Sequence, residues 1–502
     1  MSGKGANAYD LIVIGAGING AGIARDAAGR GLKVLAVEKD DIAAATSQWS
    51  TKLIHGGLRY LEYYEFRLVR ESLSEREVVL RQAPHLVQPL QFVLPHEPHL
   101  RPAWMIRAGL FMYDHLSHRT TLPGSFSVEL QRSKWGAGLK PNFERGFVYA
   151  DAQVDDARLV LANAMSAREH GADIRVHTKL VSARREGGLW RATLEAPGGV
   201  RSEVESRVIA NACGPWVKAV RDTLATTRSP DNVRHVKGSH IVVPRVHSEP
   251  HAYILQNRDN RIVFVIPFED RYSLIGTTDI AVSDYEHPRI STDETRYLLE
   301  LANTYLATPL TASDVIWAFS GVRPLYDDGQ SDPSAITRDY VLKLDDGGAP
   351  LVSVYGGKIT TYRRLAEHVL QELRPFLPSM RPPWTSAAAL PGGDLPQGGI
   401  EAWTQDLGRL YPGLPADIVR GVARRHGSLA TSVLDNARTP LDLGTHFGNG
   451  LTAREVDYMV RAEWARTADD VLWRRSKCGL GMTEAARARV ADYVTLAVPV
   501  AA

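Results

Sequence analysis

The chain of 502 residues is poor in cysteine, in net charge and in long apolar runs, and each shortage excludes a class of protein. Cys213 and Cys478 are its two cysteines, and their wide separation favours neither a disulfide scaffold nor a cysteine zinc site. Lys and Arg total 59 against 57 Asp and Glu, so the net charge of +2 makes nucleic acid an unexpected partner. Residues 11–24, the longest uncharged run near the amino end, fall short of the about 18 apolar residues that a membrane-spanning helix needs.

What remains is the composition of a folded, multidomain protein. Hydrophobic residues make up 44% and charged residues 23% of the chain, which is typical of globular proteins. At roughly 150 residues per domain the length predicts two to four domains. We expect no targeting segment at the amino end, and the low cysteine content fits a reducing compartment such as the cytoplasm. No metal site is expected.

The amino-terminal 40 residues carry the pattern of a dinucleotide-binding unit. Residues 9–15 are typical of a buried strand, 18–30 of a helix and 32–37 of a second strand. Between the first strand and the helix lie Gly15, Gly17 and Gly20 in a GxGxxG pattern, and Glu38 follows the second strand. These glycines permit a tight turn and a close approach of the backbone to a pyrophosphate, while the acid can accept hydrogen bonds from ribose hydroxyls. NAD and FAD share this pattern, so it does not decide between them.

Two longer motifs distinguish the cofactor. Residues 45–60, ATSQWSTKLIHGGLRY, gather hydroxyls, a lysine, a histidine and paired glycines, and residues 356–361, GGKITT, pair glycines again far downstream. With these motifs the chain resembles the FAD-dependent glycerol-3-phosphate dehydrogenases, aerobic bacterial type, within the group of flavoproteins similar to D-amino-acid oxidase. The resemblance covers nearly the whole chain and implies FAD as the cofactor.

Shifts in composition, together with this resemblance, predict an α/β chain of three domains. A Rossmann-like FAD-binding domain is expected to be discontinuous, an antiparallel-β substrate domain to be inserted into it, and the carboxyl-terminal domain to be all-α. The predicted bounds are residues 1–84, 145–232 and 333–378 for the first domain, 85–144 and 233–332 for the second, and 385–502 for the third.

The fingerprint and the resemblance together assign a set of residues to FAD. Glycine pairs can allow close backbone approach to the isoalloxazine ring. Cys213 stands where the family usually has Thr, so it is not assigned to the cofactor. The predicted cofactor-binding residues are Gly15, Gly17, Asn19, Gly20, Glu38, Lys39, Thr46, Ser47, Ser50, Lys52, His55, Gly56, Gly57, Gly214, Gly357, Lys358 and Thr360, with Gly356 beside them.

The substrate site must hold a phosphate dianion and orient a secondary alcohol. By resemblance Arg323 and Arg338 are the phosphate and substrate ligands, and arginine suits this role because its planar fork makes bidentate contacts. Histidine can take the hydroxyl proton at neutral pH, which makes His55 the predicted base and His240 the second candidate. The predicted substrate-binding residues are Arg59, Tyr60, His240, Arg323, Arg338 and Lys358, with His55 and Arg323 expected to be catalytic.

The resemblance also implies partners beyond the substrate. It implies glycerol 3-phosphate as the substrate, membrane quinone as the electron acceptor, a homodimer, and peripheral contact with lipid at the cytoplasmic face of the bacterial inner membrane. Residues 100–119 could form an amphipathic helix for that contact, or an ordinary helix packed on the core. Two alternatives stay open: an oxidase that passes its electrons to dioxygen, and a protein whose FAD is structural or sensory.

Overall fold

A computed structural model describes residues 8–97, 101–118, 120–224, 231–257, 261–327 and 339–498. The strands of this part of the chain form three sheets. They are β1 Ala8–Ile14, β2 Val34–Val37, β3 Leu53–Ile54, β4 Val87–Pro95, β5 Phe126–Glu129, β6 Arg145–Val154, β7 Asp173–Arg175, β8 Lys179–Glu186, β9 Leu189–Glu195, β10 Arg201–Asn211, β11 Asn232–Pro244, β12 Ala252–Gln256, β13 Ile262–Phe268, β14 Tyr272–Gly276, β15 Ile280–Ala281, β16 Trp317–Asp327, β17 Val341–Asp345, β18 Leu351–Tyr355, β19 His446–Gly448 and β20 Leu451–Thr452.

Most helices lie against these sheets or in the carboxyl-terminal third of the chain. The α-helices are α1 Ile18–Gly29, α2 Phe66–Gln82, α3 Ala103–His115, α4 Asp156–Glu169, α5 Val217–Leu224, α6 Thr292–Tyr305, α7 Tyr362–Glu372, α8 Gly399–Leu410, α9 Ala416–His426, α10 Ala430–Leu434, α11 Ala453–Ala462 and α12 Glu484–Ala497. Short 3₁₀ turns include Thr46–Gln48, Leu58–Tyr63 and Gly214–Trp216, and Asp470–Arg475 is a π-helix.

The first sheet has the order β17-β18-β10-β1-β2-β7, and β9 and β8 extend from β10. Its central strands β18, β10, β1, β2 and β7 are parallel, as the predicted strand–helix–strand unit requires. Alternate residues of β1 enter two cores: Leu11 and Val13 pack with α1 and α7, and Ile12 and Ile14 pack with Trp190 on the opposite face. Burial on both faces explains why β1 reads as a continuous apolar run.

The second sheet is almost entirely antiparallel. Its ten strands follow the order β15-β11-β14-β13-β12-β4-β6-β3, with β16 on β11 and β5 on β6, and β4 with β12 is its parallel pair. The long pair of β11 and β16 joins residues 232–242 to 317–327. These two strands carry two of the predicted substrate residues, His240 and Arg323, so their register places those side chains.

Two strands lie apart from their predicted domain. The predicted bounds put residues 1–84 and 145–232 in the first domain, whereas β3 and β6 pair with each other in the second sheet, where β6 is also hydrogen-bonded to β4 and β5. The buried run of β6 fits a strand of either sheet, and only its hydrogen-bonding partners distinguish them. The chain returns to the first domain with α4, whose amino end is capped by Asp155. The predicted domain bounds otherwise stay a prediction.

The carboxyl-terminal domain is helical, apart from the two-stranded ribbon of β19 and β20. Two apolar cores hold it together: one lies between α8, α9 and α10, and the other between α11, α12 and the π-helix. Charged side chains are buried where it meets α4. Arg158 pairs with Glu463 at 2.8 Å, and His426 lies between Glu455 and Glu463. A buried charge needs such a partner, so this domain is docked in one orientation.

Candidate functional site

The glycine-rich turn after β1 leaves no room for side chains. Gly15 has a φ of +96°, and a Cβ there would lie 2.8 Å from the carbonyl oxygen of Ala212. A Cβ on Gly20 would overlap the carbonyl oxygen of Gly15. A Cβ on Gly17 would be 3.1 Å from Ser47 Oγ. The turn and the start of α1 therefore present bare backbone, and amides at a helix amino end attract phosphate.

Glu38 holds the other side of this turn. Its carboxylate accepts hydrogen bonds from the backbone amides of Ala16 at 2.8 Å and Asp40 at 3.0 Å. Burial raises the pKa of Glu38, and these two amides act against the rise. Lys39 is exposed, pairs with Asp40, and lies 4.8 Å from the ring centre of Trp216. Trp216 ends the 3₁₀ turn Gly214–Trp216. Gly214, another predicted cofactor residue, begins this turn and has a φ of +53°.

Residues 46–52 connect the glycine turn to the second sheet. Ser47 Oγ accepts a hydrogen bond from the Ile18 amide at 3.0 Å, and Thr46 Oγ1 donates to the Val322 carbonyl at 2.7 Å. Ser50 and Lys52, both predicted to contact FAD, instead bond Asp156 at 2.7 and 2.8 Å. Lys52 is buried, and burial lowers the pKa of its ammonium. Whether either side chain also reaches the cofactor stays a prediction.

The downstream motif, residues 356–361, contacts both the start of α1 and the motif of residues 45–60. Gly356 and Gly357 have φ values of +74° and +99°, a region of backbone space that favours glycine. Asn19, the second residue of α1, donates to the Gly356 carbonyl at 3.1 Å. Thr360 Oγ1 accepts from the backbone amide of His55 at 3.3 Å. The three motifs therefore form one site, although the residues of the downstream motif lie more than 300 positions from those they contact in the other two.

Unpartnered polar atoms test whether this site fits a flavin nucleotide. Lys358 Nζ is buried without a hydrogen-bond partner among the described residues, and lies 3.9 Å from the ring centre of Tyr60. Asn19 Oδ1 is also buried and unpartnered in the described part of the chain. Buried polar groups normally have partners, so these atoms indicate an occupant with polar edges. Together with the bare turn and Glu38, they fit FAD.

His55 lies above a polar network that sequence reasoning missed. The next residue, Gly56, donates its amide to Tyr113 Oη at 2.8 Å, and a Cβ there would collide with Leu73. Tyr113 donates in turn to Asp151, which also binds Arg76 at 2.5 Å. Burial lowers the pKa of His55, Asp151 raises it, and Lys358 and Arg76 lower it. The imidazole is therefore neutral at neutral pH and able to accept a proton.

His240 is the second buried histidine of the site. It stacks on Phe319 at 4.9 Å, and its Nε2 lies 3.1 Å from Thr51 Oγ1. Its Nδ1 is buried without a hydrogen-bond partner in the described residues. Burial, and then the charges of Arg323 and Lys52, hold the pKa of His240 well below its ordinary value. The lowered pKa keeps His240 neutral as well, so it can also accept a proton. The position of each ring relative to bound substrate must decide between His55 and His240.

Arg323 points from β16 into the site as a partly exposed guanidinium. It binds Asp279, and its Nη2 lies 3.4 Å from Thr277 Oγ1. Its side chain is 34% exposed, so it remains accessible to a ligand. Arg59 and Tyr60 lie in the 3₁₀ turn that follows Gly57, whose φ is +77°. Arg338 lies outside the described residues.

Buried Glu294 supports the Arg323 region from below and was also missed. It accepts hydrogen bonds from Ser239 Oγ and Thr278 Oγ1, both at 2.7 Å, and pairs with Lys237 at 2.8 Å. Despite the opposing effect of burial, these partners lower the pKa of Glu294 to about 2. The sequence signal available was its place in a capping box at the start of α6, where Ser291 precedes it by three residues.

Comparison with known proteins identifies the class. The sequence model of the FAD dependent oxidoreductase family matches residues 10–363, and that of the C-terminal domain of alpha-glycerophosphate oxidase matches 383–500. The chain belongs to the family of FAD-dependent oxidoreductases. The predicted fold class and the prediction of FAD as cofactor are thereby confirmed.

Particular relatives narrow the similarity further. A glycerol-3-phosphate dehydrogenase of Pseudomonas aeruginosa is 52% identical over 97% of this chain and 95% of its own. D-erythritol 1-phosphate dehydrogenase of Brucella abortus is 50% identical over 96% and 97%. A solved glycerol-3-phosphate dehydrogenase from Bacillus halodurans, complexed with FAD, superposes with a TM-score of 0.75 at 26% identity, covering 98% and 95%. These similarities confirm the resemblance drawn from the motifs.

None of the helices in the described residues is long and apolar enough to cross a membrane. Within the same ranges, no group of three or more His, Cys, Asp or Glu side chains is placed to hold a metal ion.

Proposed function

We propose that this flavoenzyme oxidises sn-glycerol 3-phosphate to dihydroxyacetone phosphate. The observation that carries the proposal is the meeting of a flavin site with a cationic, histidine-bearing site. Lys358 follows the glycine pair 356–357, His55 lies in the facing motif, and Arg323 projects from the adjoining sheet. The 52% identity to a glycerol-3-phosphate dehydrogenase supports the same substrate.

The chain's own residues bind the phosphate and receive one proton. Arg323 offers a bidentate donor to phosphate oxygens, and Arg59 and Lys358 add positive charge. Arg338 belongs to this proposed set by resemblance. FAD held by this site would supply the acceptor for the hydride from C2 of the substrate. His55 takes the proton of the C2 hydroxyl, because its lowered pKa keeps it neutral, and His240 is the alternative base.

Substrate identity is tested by comparing three alcohols with an artificial electron acceptor. We expect kcat/KM to be highest for glycerol 3-phosphate, lower for D-erythritol 1-phosphate, and lowest for unphosphorylated glycerol by about 100-fold or more, because glycerol cannot bind the cationic groups. Arg191→Met, which removes an exposed arginine from β9, serves as the control variant. A higher kcat/KM for D-erythritol 1-phosphate would move the assignment to that substrate. Equal values with glycerol would contradict a phosphate site.

The electron acceptor is proposed to be membrane quinone, in line with the resemblance. The alternative is dioxygen, which the match to the C-terminal domain of alpha-glycerophosphate oxidase keeps open. Purified enzyme supplied with glycerol 3-phosphate should reduce a soluble quinone analogue and release little hydrogen peroxide. Rapid peroxide release without quinone reduction would establish the oxidase instead.

Contact with a lipid surface is proposed for the exposed face of α3. Trp104 is 70% and Phe111 57% exposed there, and Tyr64 in the neighbouring turn is 79% exposed. Aromatic side chains favour the membrane interface, and such a patch fits peripheral attachment at the cytoplasmic face of the inner membrane. Trp104→Ser with Phe111→Ser should reduce sedimentation with anionic lipid vesicles, whereas Leu441→Ser with Leu496→Ser should not. Equal losses in both double variants would contradict the assignment. A homodimer remains a prediction from the resemblance.

A further inference from the structure

The carboxyl-terminal domain reaches the active site through one turn of π-helix, Asp470–Arg475. Short π-helical segments are rare and frequently lie at functional sites. We propose that this turn is a positioning element of the flavin site: Arg474 and Arg475 hold the loop against which the glycine-rich turn packs. Trp473, in the same turn, supports the substrate side. This goes beyond the proposed reaction, since it gives the helical domain a part in binding FAD.

The first contact is a buried carboxylate bound by two arginines. Asp41 is 2% exposed and Arg475 is 1% exposed. Arg475 binds both carboxylate oxygens of Asp41, with Nη2 to Oδ1 at 2.8 Å, and Arg474 Nε binds Oδ2 at 2.6 Å. A bidentate fork fixes orientation as well as distance. The helical domain therefore sets the position of Asp41.

Asp41 transmits this position to the glycine turn through the backbone. The Ala44 amide donates to the Asp41 carbonyl at 3.1 Å, and the Ala43 amide donates to the Ala16 carbonyl at 3.1 Å. Ala16 lies between Gly15 and Gly17, and its own amide is held by Glu38. The loop of residues 38–44 thus binds the turn on both sides of Ala16. The arginines hold this loop at its middle residue, Asp41.

Arg475 is itself fixed by contacts within and beyond its domain. Its Nε donates to the Glu463 carbonyl at 3.0 Å, and its own carbonyl accepts from Arg158 Nη1 at 2.9 Å. Arg158 belongs to α4 of the first domain and pairs with Glu463 at 2.8 Å. These bonds join α4, the π-helix and the flavin loop. A shift of the helical domain would therefore move Asp41.

The second contact is an aromatic stack that ends at His240. Trp473 stacks on Trp317 at 4.8 Å, Trp317 lies 5.0 Å from Phe319, and Phe319 stacks on His240 at 4.9 Å. This part of the inference rests on the proposed substrate site. FAD binding through Asp41 does not, so the two contacts can fail separately.

The test measures release of FAD from the full-length holoenzyme on dilution, followed by flavin fluorescence. Asp41→Asn and Arg475→Met should each speed FAD release by about tenfold or more, and Arg475→Lys, which keeps the charge but loses the fork, should lie between. Trp473→Leu should leave FAD release unchanged and raise KM for substrate. Arg474→Gln offers a milder change, since Arg474 is more exposed and Arg475 remains.

Arg424→Ala is the matched control. Arg424 also joins the helical domain to another domain, through exposed Asp270 at 3.0 Å, but touches neither the flavin loop nor the aromatic stack. It should retain FAD as the wild type does. Release at the wild-type rate in Asp41→Asn and Arg474→Gln would overturn the proposal, as would equal acceleration in Arg424→Ala. A changed KM in Arg424→Ala equal to that in Trp473→Leu would overturn the role of Trp473.

Discussion

The cofactor side and the substrate side of this site are built by different means. On the cofactor side, the site is formed mainly by backbone, because there is no space for a side chain at Gly15, Gly20 or Gly357. On the substrate side, charged and aromatic side chains from distant strands are held by buried partners, as Glu294 holds Thr278 below Arg323. The glycines of the cofactor side lie in short motifs that the sequence displays, whereas the side-chain contacts of the substrate side depend on the register of the sheet. Substitutions on the cofactor side should therefore lower the FAD content, whereas substitutions on the substrate side should change the rate or KM.

The largest effect is expected on the cofactor side, from Gly20→Ala. The added Cβ would overlap the Gly15 carbonyl, so the turn must shift and bound FAD should be lost almost completely. Absorbance of the purified protein measures the FAD content. Gly408→Ala is the control, because a Cβ there meets nothing within 4 Å in helix α8. Full FAD content in Gly20→Ala would contradict the account of the turn.

On the substrate side, the two histidines should separate in rate rather than in FAD content. His55→Asn should slow flavin reduction by about 100-fold or more, because the base is lost. The wild-type acid limb should fall below pH 6.5, since burial lowers the pKa of His55, and it should disappear in the variant. Exposed His446→Asn is the control. A retained limb in His55→Asn and its loss in His240→Asn would transfer the role to His240.

A smaller effect is expected from Arg323→Met. Loss of the guanidinium should raise KM about 100-fold, within the 2–5 kcal/mol typical of breaking a charged contact, while FAD content stays unchanged. Steady-state kinetics measure the first and absorbance the second. Loss of both FAD and substrate binding would show that Arg323 supports the cofactor side. That result would contradict the division of the site into a cofactor side and a substrate side.

The smallest effect concerns stability in acid. Glu294 has its pKa lowered to about 2, so its contribution to stability is present above about 4.5 and is lost as the pH falls through 2. Glu38 has a raised pKa, so acidification down this window adds no such loss. Amide exchange should therefore quicken in β11 and α6 before it does in β1, and Glu294→Gln should flatten this dependence. Earlier loss around β1 would contradict it.

The difference between the cofactor side and the substrate side also explains which features could be predicted from the sequence. The first strand, α1 and Glu38 were predictable because a turn, a helix start and an acid lie within 30 residues. The assignment of β6 to the first domain failed because its burial fits either sheet, and only hydrogen bonding to β4 reveals the second.

The ion-pair partners of the predicted residues could not be predicted from the sequence, because they lie far away along the chain. Lys52 and Asp156 are 104 residues apart, and Arg323 and Asp279 are 44 apart. Nothing in a motif shows which carboxylate a distant fold will bring to a lysine. The role of Asp151, in β6, could not be predicted for the same reason, because it depends on Tyr113 from helix α3.

The most direct test of the central claim is anaerobic addition of glycerol 3-phosphate to the purified, FAD-loaded protein. The account predicts bleaching of the flavin's visible absorbance, at a rate that saturates with substrate, in the wild type and in Arg191→Met. His55→Asn should bleach slowly. A flavin spectrum that stays unchanged at saturating glycerol 3-phosphate would contradict the account and favour a structural or sensory FAD.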